Sequence, residues 1–283
     1  MKLSIIIVSY NTKGLLKQCL DAVSKSILTE QYEVIVIDNA STDGSSDLAT
    51  IKNKHNQGYS IANNQGIKIA KGEYILLLNS DTRVKSNALD ELIKFMDGHP
   101  QAGIASAQLL NPDGSIQPSG GFLPRLSNIF AWMFFIDDLP LPLPAYHVTH
   151  PGFYSNTHQI GWVQGAALIM RREVGLLDEN IFMYGEDVEL CIRAHKSSWQ
   201  VWTVATAQVT HQGFQSSGGV STNALLGEYT GLQYIFKKHK PPWEFPLLQV
   251  ALKTGALIRM LLFGTIWRDK QKYAVYKQAL SLV

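Results

Sequence analysis

Glu73-Tyr-Ile-Leu-Leu-Leu-Asn-Ser-Asp81 is the stretch on which the fold turns: an unbroken apolar run that stops at oxygen-bearing side chains. Ile75 to Leu78 show no polar alternation, which suits a strand covered on both faces, as in a parallel sheet inside an α/β protein. Ligands of open α/β sheets bind beyond the carboxyl ends of the strands, so Asn79, Ser80 and Asp81 emerge where chemistry is expected. A hard divalent cation needs only one or two protein carboxylates when phosphates and water complete its shell, which makes Asp81 a candidate metal ligand. A plain Asn-Ser-Asp turn fits the same letters.

Upstream, Leu3–Ser9 and Glu33–Asp38 read as strands flanking a helix from Lys13 to Ile27, whose Leu16, Leu20 and Val23 recur at three- and four-residue steps. This is a βαβ unit. A polar loop follows from Asp38, and Ser60 to Lys71 is a weaker helical stretch. Downstream, Ser86 is placed to cap a helix with Leu89, Leu92, Ile93 and Met96 inside, Gly103–Gln108 is a strand, and Asn111-Pro-Asp-Gly114 is a tight turn. From Phe122 to Tyr154 periodicity fails, and the aromatic, Leu-Pro-rich segment (Leu139 to Pro144) reads as a functional loop or lid. Ile160–Met170 is a strand-like run interrupted by Gly165, followed by a helical piece at Arg172–Leu177, a helix at Glu186–Lys196 and a last strand, Val201–Val209, leading to His211.

Composition narrows the class. At 283 residues with 46% hydrophobic and 17% charged residues, the chain is globular and large enough for a sizeable core. Its two cysteines, Cys19 and Cys191, are far apart, which argues against a disulfide framework and for a reducing compartment. Met1-Lys2 passes at once into a strand, too early for a signal peptide. Residues 235–283 hold nine Lys/Arg against Glu244 and Asp269, +7, leaving −5 for the rest of a chain whose net charge is +2. That basic tail, apolar and helical with Trp243 and Trp267 near its ends, resembles an interfacial membrane helix, and its charges break it into pieces too short to span a bilayer. A cap on the body or a homodimer contact fits the same pattern. Nucleic acid is disfavoured, because the tail's aromatics are not interleaved with Lys/Arg as a strand-binding groove requires.

Tyr184-Gly-Glu-Asp187 opens a helix with two acids, a pattern that N-terminal dipole compensation alone would explain. Five ordered blocks change that reading: Ile5-Ile-Ile-Val-Ser-Tyr-Asn11, Val36-Ile-Asp38-Asn-Ala-Ser-Thr-Asp-Gly44, Asn56-Gln-Gly-Tyr-Ser-Ile-Ala-Asn-Asn64-Gln-Gly66, Leu78-Asn-Ser-Asp81 and Gly185-Glu-Asp187. Together they resemble the inverting glycosyltransferase family 2 over residues 1–215, closest to its bacterial rhamnosyltransferase-like branch. The resemblance implies a GT-A fold: α/β, with a Rossmann-like, mostly parallel central sheet flanked by helices, here with a C-terminal helical appendage. It implies a nucleotide-sugar-binding half (1–110), an acceptor-binding and catalytic half (111–225), and basic amphipathic helices (226–283) at a membrane surface or dimer contact.

The same resemblance implies residue roles. Asp38 accepts the pyrimidine N3–H, Ser9 and Asn11 line the base, and Asn56 and Asn63 lie near ribose or phosphates, although each asparagine also fits a polar helix surface. The family's Asp-x-Asp is here Asn79-Ser80-Asp81, one carboxylate short, so weaker Mg²⁺ or Mn²⁺ binding at Asp81 is expected. His211 matches a further metal ligand, Asp187 the base that deprotonates the acceptor hydroxyl, and Glu186 an orienting acid. Trp162, Gln164 and Gly165 are the expected acceptor platform. No Gln-x-x-Arg-Trp motif is present, so a single sugar is added, from a dTDP- or UDP-sugar to a saccharide or polyprenyl-linked acceptor, at the cytoplasmic face of the membrane.

Overall fold

The computed structural model describes residues 1–26, 29–139, 143–213 and 222–283. Strand β1 (Leu3–Ser9), helix α1 (Lys13–Ser24) and β2 (Tyr32–Asp38) form the first βαβ unit. A short β3 (Ile51–Lys52) and α2 (Tyr59–Ile69) lead into β4 (Tyr74–Leu78), followed by β5 (Thr82–Val84), α3 (Ala88–Gly98) and β6 (Ala102–Leu110). The middle of the chain carries β7 (Gly120–Gly121), α4 (Leu126–Met133), β8 (His158–Gln159), β9 (Trp162–Val163) and β10 (Ala167–Arg171). Then come α5 (Glu186–Lys196), β11 (Gln200–His211), α6 (Thr222–His239), α7 (Glu244–Leu261) and α8 (Lys270–Leu280).

Every residue of β4 is buried, and successive side chains alternate between two cores. Ile75 and Leu77 join one with Ile6, Ala62 and Val188, while Tyr74, Leu76 and Leu78 join the other with Ile5, Leu16 and Leu92. An apolar run without alternation is thus a period-2 strand with helices on both sides. The sheet order is β3-β2-β1-β4-β10-β6-β11-β5. Pairing is parallel from β3 to β4 and again between β6 and β11, whereas β10 runs antiparallel to both β4 and β6, and β5 is antiparallel to β11. The expected Rossmann-like, mostly parallel sheet is therefore present.

One edge of this sheet collects the chemistry. Ser9, Asp38 and Asn79 stand at the ends of β1, β2 and β4, and the reversed β10 begins at the same edge, Ala167 facing Leu78. His211 closes β11 opposite Thr82.

Several local expectations need correction. The residue before α3 is Asn87 rather than Ser86, with no side-chain cap bond, and Asp90 and Glu91 in the first turn complement the dipole instead. The run 160–170 is not one strand: β9 pairs with β7 in a separate ribbon, and the chain breaks at Gly165, whose N–H and C=O serve side chains of the site. The segment 122–154 contains α4, hidden in the sequence because its apolar residues go nearly all the way round. The helix predicted to end at Ile27 ends at Ser24, and Ile27, Pro140, Pro142 and residues 214–221 lie outside the described residues.

The tail also differs. Glu244 to Ile266 is one continuous helix of 23 residues whose most apolar 18-residue stretch has mean hydropathy 1.5, long and apolar enough to cross a membrane, and not a set of short pieces. Arg259 does not break it because it is only 4% exposed: its guanidinium donates to the carbonyls of Trp132, at 2.6 Å, and Met133 at the end of α4, and lies over the Phe135 ring at 4.2 Å. A cation there also meets the negative end of the α4 dipole. Arg259→Met keeps the bulk but removes these donors, and is expected to cost about 1–3 kcal/mol, read as a lower denaturant midpoint with an unchanged slope.

Candidate active site

Two cavities open at the strand-end edge and share a wall. The larger, of about 840 Å³, is lined by Tyr10, Asn56, Asn79, Asp81 and His211. The smaller, of about 380 Å³, is lined by Trp162, Gly165, Glu186, Asp187, His147 and Glu228. Tyr59, Asn79, Gln164 and Tyr184 border both. Both volumes fall in the range of small-molecule sites.

In the larger cavity, His211 Nδ1 lies 2.7 Å from Gln117 Oε1, and Gln117 uses its own amide N–H on Asn111, 2.9 Å away. Gln117 Oε1 is therefore the acceptor, so in the neutral ring His211 Nδ1 carries the proton and Nε2 presents a lone pair. That lone pair faces Asp81 Oδ1 at 3.4 Å. Two acceptors aimed at one another at this separation suit a shared cation: ligands about 2.1 Å from a metal at a right angle stand about 3 Å apart. Asn79, in place of an acid, accepts the Tyr59 hydroxyl at 3.1 Å and directs its amide nitrogen towards His211 Nε2 at 3.5 Å.

The other residues predicted for this half divide. Asn56 lines the cavity, and its Oδ1 accepts from Asn39 Nδ2 at 2.8 Å and Gly58 N at 2.9 Å. Asp38 is buried; one oxygen accepts from Ser41 N at 3.0 Å, and Oδ1 has no partner among the described residues. Asp38, Ser9, Asn11 and Asn63 are not brought into the lining. Ser9 joins a buried hydroxyl chain through Thr12 to Ser80, and Asn11, at φ 53°, accepts from Thr42 N at 2.8 Å. Asn63 donates to Tyr59 O inside α2.

The smaller cavity is built around the start of α5. Tyr184 and Gly185 both have positive φ, 70° and 100°, and a Cβ on Gly185 would come within 3.2 Å of Gly231 on α6. This turn needs glycine, and it presents Glu186 and Asp187 side by side. Asp187 Oδ2 accepts the Gly165 N–H at 3.2 Å and Oδ1 that of Val188 at 2.8 Å. Burial pushes both carboxyls up, against the backbone N–H groups that hold Asp187 down, and the Asp187 charge raises Glu186 further. Glu186 Oε2 has no partner among the described residues. The pair therefore divides into a readily ionised Asp187 and a Glu186 that keeps its proton near neutrality.

Trp162 is 7% exposed, donates Nε1–H to Tyr146 O at 2.9 Å and lines this cavity, as Gln164 and Gly165 do. Tyr59, Gln117, His147 and Glu228 were not foreseen. Only Tyr59 carried a signal, lying inside one of the ordered blocks. Glu228 sits on α6, in the segment read as an appendage.

The family model for glycosyl transferase family 2 matches residues 4–119. The N-acetylglucosaminyl-diphospho-decaprenol L-rhamnosyltransferase of Mycobacterium tuberculosis is 28% identical over 290 aligned positions, 91% of this chain and 93% of that one. Among solved structures, a mannosyltransferase from Pyrobaculum calidifontis in complex with GDP-Man and Mn²⁺ superposes with a TM-score of 0.58 at 17% identity, over 99% of this chain and 86% of the other. The S. aureus TarS fragment 1–349 in complex with UDP gives 0.54 at 14%, over 99% and 90%. At those identities the likeness speaks to the fold. Residues 4–119 thus match glycosyl transferase family 2, and the whole chain has the GT-A fold of these solved neighbours.

Proposed function

We propose that the protein is an inverting, non-processive glycosyltransferase that moves L-rhamnose from a dTDP-sugar to a hydroxyl of a lipid-diphosphate-linked saccharide in cell-envelope polysaccharide synthesis. The observation that carries this reading is the shared wall. A donor in the larger cavity and an acceptor in the smaller meet at Tyr59, Asn79 and Gln164, with Asp187 on the acceptor side and Asp81 and His211 on the donor side. Asp187 takes the acceptor proton as its oxygen attacks the anomeric carbon, and the nucleoside diphosphate leaves from the opposite face, inverting the centre. Holding the two substrates in line across the wall supplies much of the rate.

Asp81 and His211 are the residues that would hold Mg²⁺ or Mn²⁺, which when bound would offset the charge on the departing diphosphate. The unpartnered Asp38 Oδ1 suits an imide N–H, offered by uracil and thymine alike. The nature of the acceptor follows the M. tuberculosis relative, whose name specifies a decaprenyl diphosphate. The α7 face bearing Trp243, Leu247, Val250, Leu257 and Leu261, each at least half exposed, supports a peripheral seat on an anionic membrane, lying in the interface because the opposite face, with Arg259, is packed on the body.

Thermal stabilisation by UDP, dTDP, GDP and CMP, with and without Mn²⁺, tests the donor side. Metal-dependent stabilisation greatest with dTDP is expected. A preference for UDP moves the donor to a UDP-hexose or UDP-galactofuranose with the mechanism unchanged, no response to any nucleotide overturns the reading, and nucleotide binding without sugar transfer favours a non-catalytic nucleotide-sugar-binding relative.

A further inference from the structure

His147 and Glu228 are 81 residues apart in sequence, yet His147 Nε2 lies 2.5 Å from Glu228 Oε1 in the wall of the smaller cavity, which Asp187 also lines. Three aromatic rings enclose the imidazole: Tyr146 at 4.4 Å, Trp132 at 5.2 Å and Trp162 at 5.5 Å, each meeting it at a steep angle. A contact this short to a carboxylate makes Nε2 a donor, and among the described residues Nδ1 has no hydrogen-bond partner. The buried Glu186, 6% exposed and with Oε2 unpartnered among the described residues, lines the same cavity. An aromatic wall with a few fixed polar groups is the chemistry that recognises a pyranose, whose ring has an apolar face and a rim of hydroxyls.

Resting on the transferase reading above, we propose that His147 and Glu228 are the acceptor-specificity pair: Glu228 accepts a hydroxyl of an N-acetylated acceptor sugar stacked on Trp162, and His147 Nδ1–H donates to its acetamido carbonyl. The charge state agrees with this geometry. Burial opposes protonation of His147, but the Glu228 carboxylate outweighs it and shifts the imidazole upward, towards the doubly protonated form in which Nδ1 also donates. The pair also gives α6 a function, for it supplies Ala224, Glu228 and Leu232 to the cavity, while Gly227 and Gly231 let it sit directly against the turn that carries Glu186 and Asp187.

The test uses the full chain, a dTDP- or UDP-sugar chosen by the nucleotide response, and two synthetic farnesyl diphosphate acceptors, one bearing N-acetylglucosamine and one bearing glucose. Expected for His147→Ala and Glu228→Gln is a 10- to 100-fold rise in acceptor KM, with donor KM within about twofold, as for loss of a hydrogen bond to a charged group. His147→Ala should also erase the preference for the acetylated probe. His147→Gln, a smaller change in shape, should keep part of that preference, so the proposal stays testable if the alanine variant fails to fold. Wild-type transfer with variants that lower only kcat, or a wild type indifferent to the acetamido group, overturns the proposal while leaving the transferase reading intact. No wild-type transfer to either probe, despite nucleotide binding, overturns the acceptor reading and this proposal with it.

Discussion

Asp187→Asn is expected to lower kcat by about 10²- to 10⁴-fold, the contribution of a positioned general base, while nucleotide binding stays unchanged because Asp187 lines only the acceptor cavity. Asparagine keeps an oxygen for a backbone N–H but cannot take the hydroxyl proton. The pH profile gives the second signature. A base must be ionised to act, and burial raises the Asp187 carboxyl, so wild-type activity should rise with pH along a limb displaced above the ordinary carboxylate value of about 4. Glu186→Gln provides the contrast. Glu186 is raised further and is protonated where the enzyme works, so an amide reproduces its neutral form, and the loss should stay within about tenfold with the limb retained. Equal losses in both variants across the pH range would remove the division of labour assigned to the pair.

Asp81→Ala should remove metal-dependent stabilisation by nucleotide and lower kcat/KM by a factor on the order of 10² or more, since charge neutralisation at the leaving diphosphate is worth several kcal/mol. The argument rests on opposed acceptors. His211 Nε2 faces Asp81 at 3.4 Å with its proton committed to Gln117 on the other side, so removing either ligand leaves the second without a cation to share. Asn79→Asp offers a test in the opposite direction. It restores a carboxylate beside Asp81, and the Tyr59 hydroxyl that already donates to Asn79 Oδ1 remains available to it. Mn²⁺ should then bind more tightly, with half-maximal activation at lower concentration. If Asp81→Ala left the Mn²⁺ dependence unchanged, the metal would have to be assigned elsewhere.

Much of this was legible in the sequence, for reasons that particular residues make plain. The run Ile75–Leu78 revealed a two-sided strand because no polar residue interrupts it, and its polar ending pointed to the candidate site because strands of a parallel sheet deliver their carboxyl ends to one edge. Gly185 was readable because a turn at φ 100° needs it. What stayed hidden depends on contacts between distant segments. That β10 reverses direction is fixed by its neighbours β4 and β6, not by its own five residues. The continuity of the tail helix depends on Arg259 finding carbonyls of α4 more than a hundred residues upstream, and a charge without a visible partner reads as a break. His147 and Glu228 have meaning only as a pair.

The reversed strand also governs how the molecule can be made. β4 and β6 are joined into one sheet only when β10, residues 167–171, pairs with both. While the chain emerges from the ribosome, its first 110 residues leave one edge of β4 and both edges of β6 unpaired, a template for unwanted pairing. The two halves named from sequence are thus interleaved at birth, and a fragment ending before residue 171 should aggregate where the whole chain stays in solution.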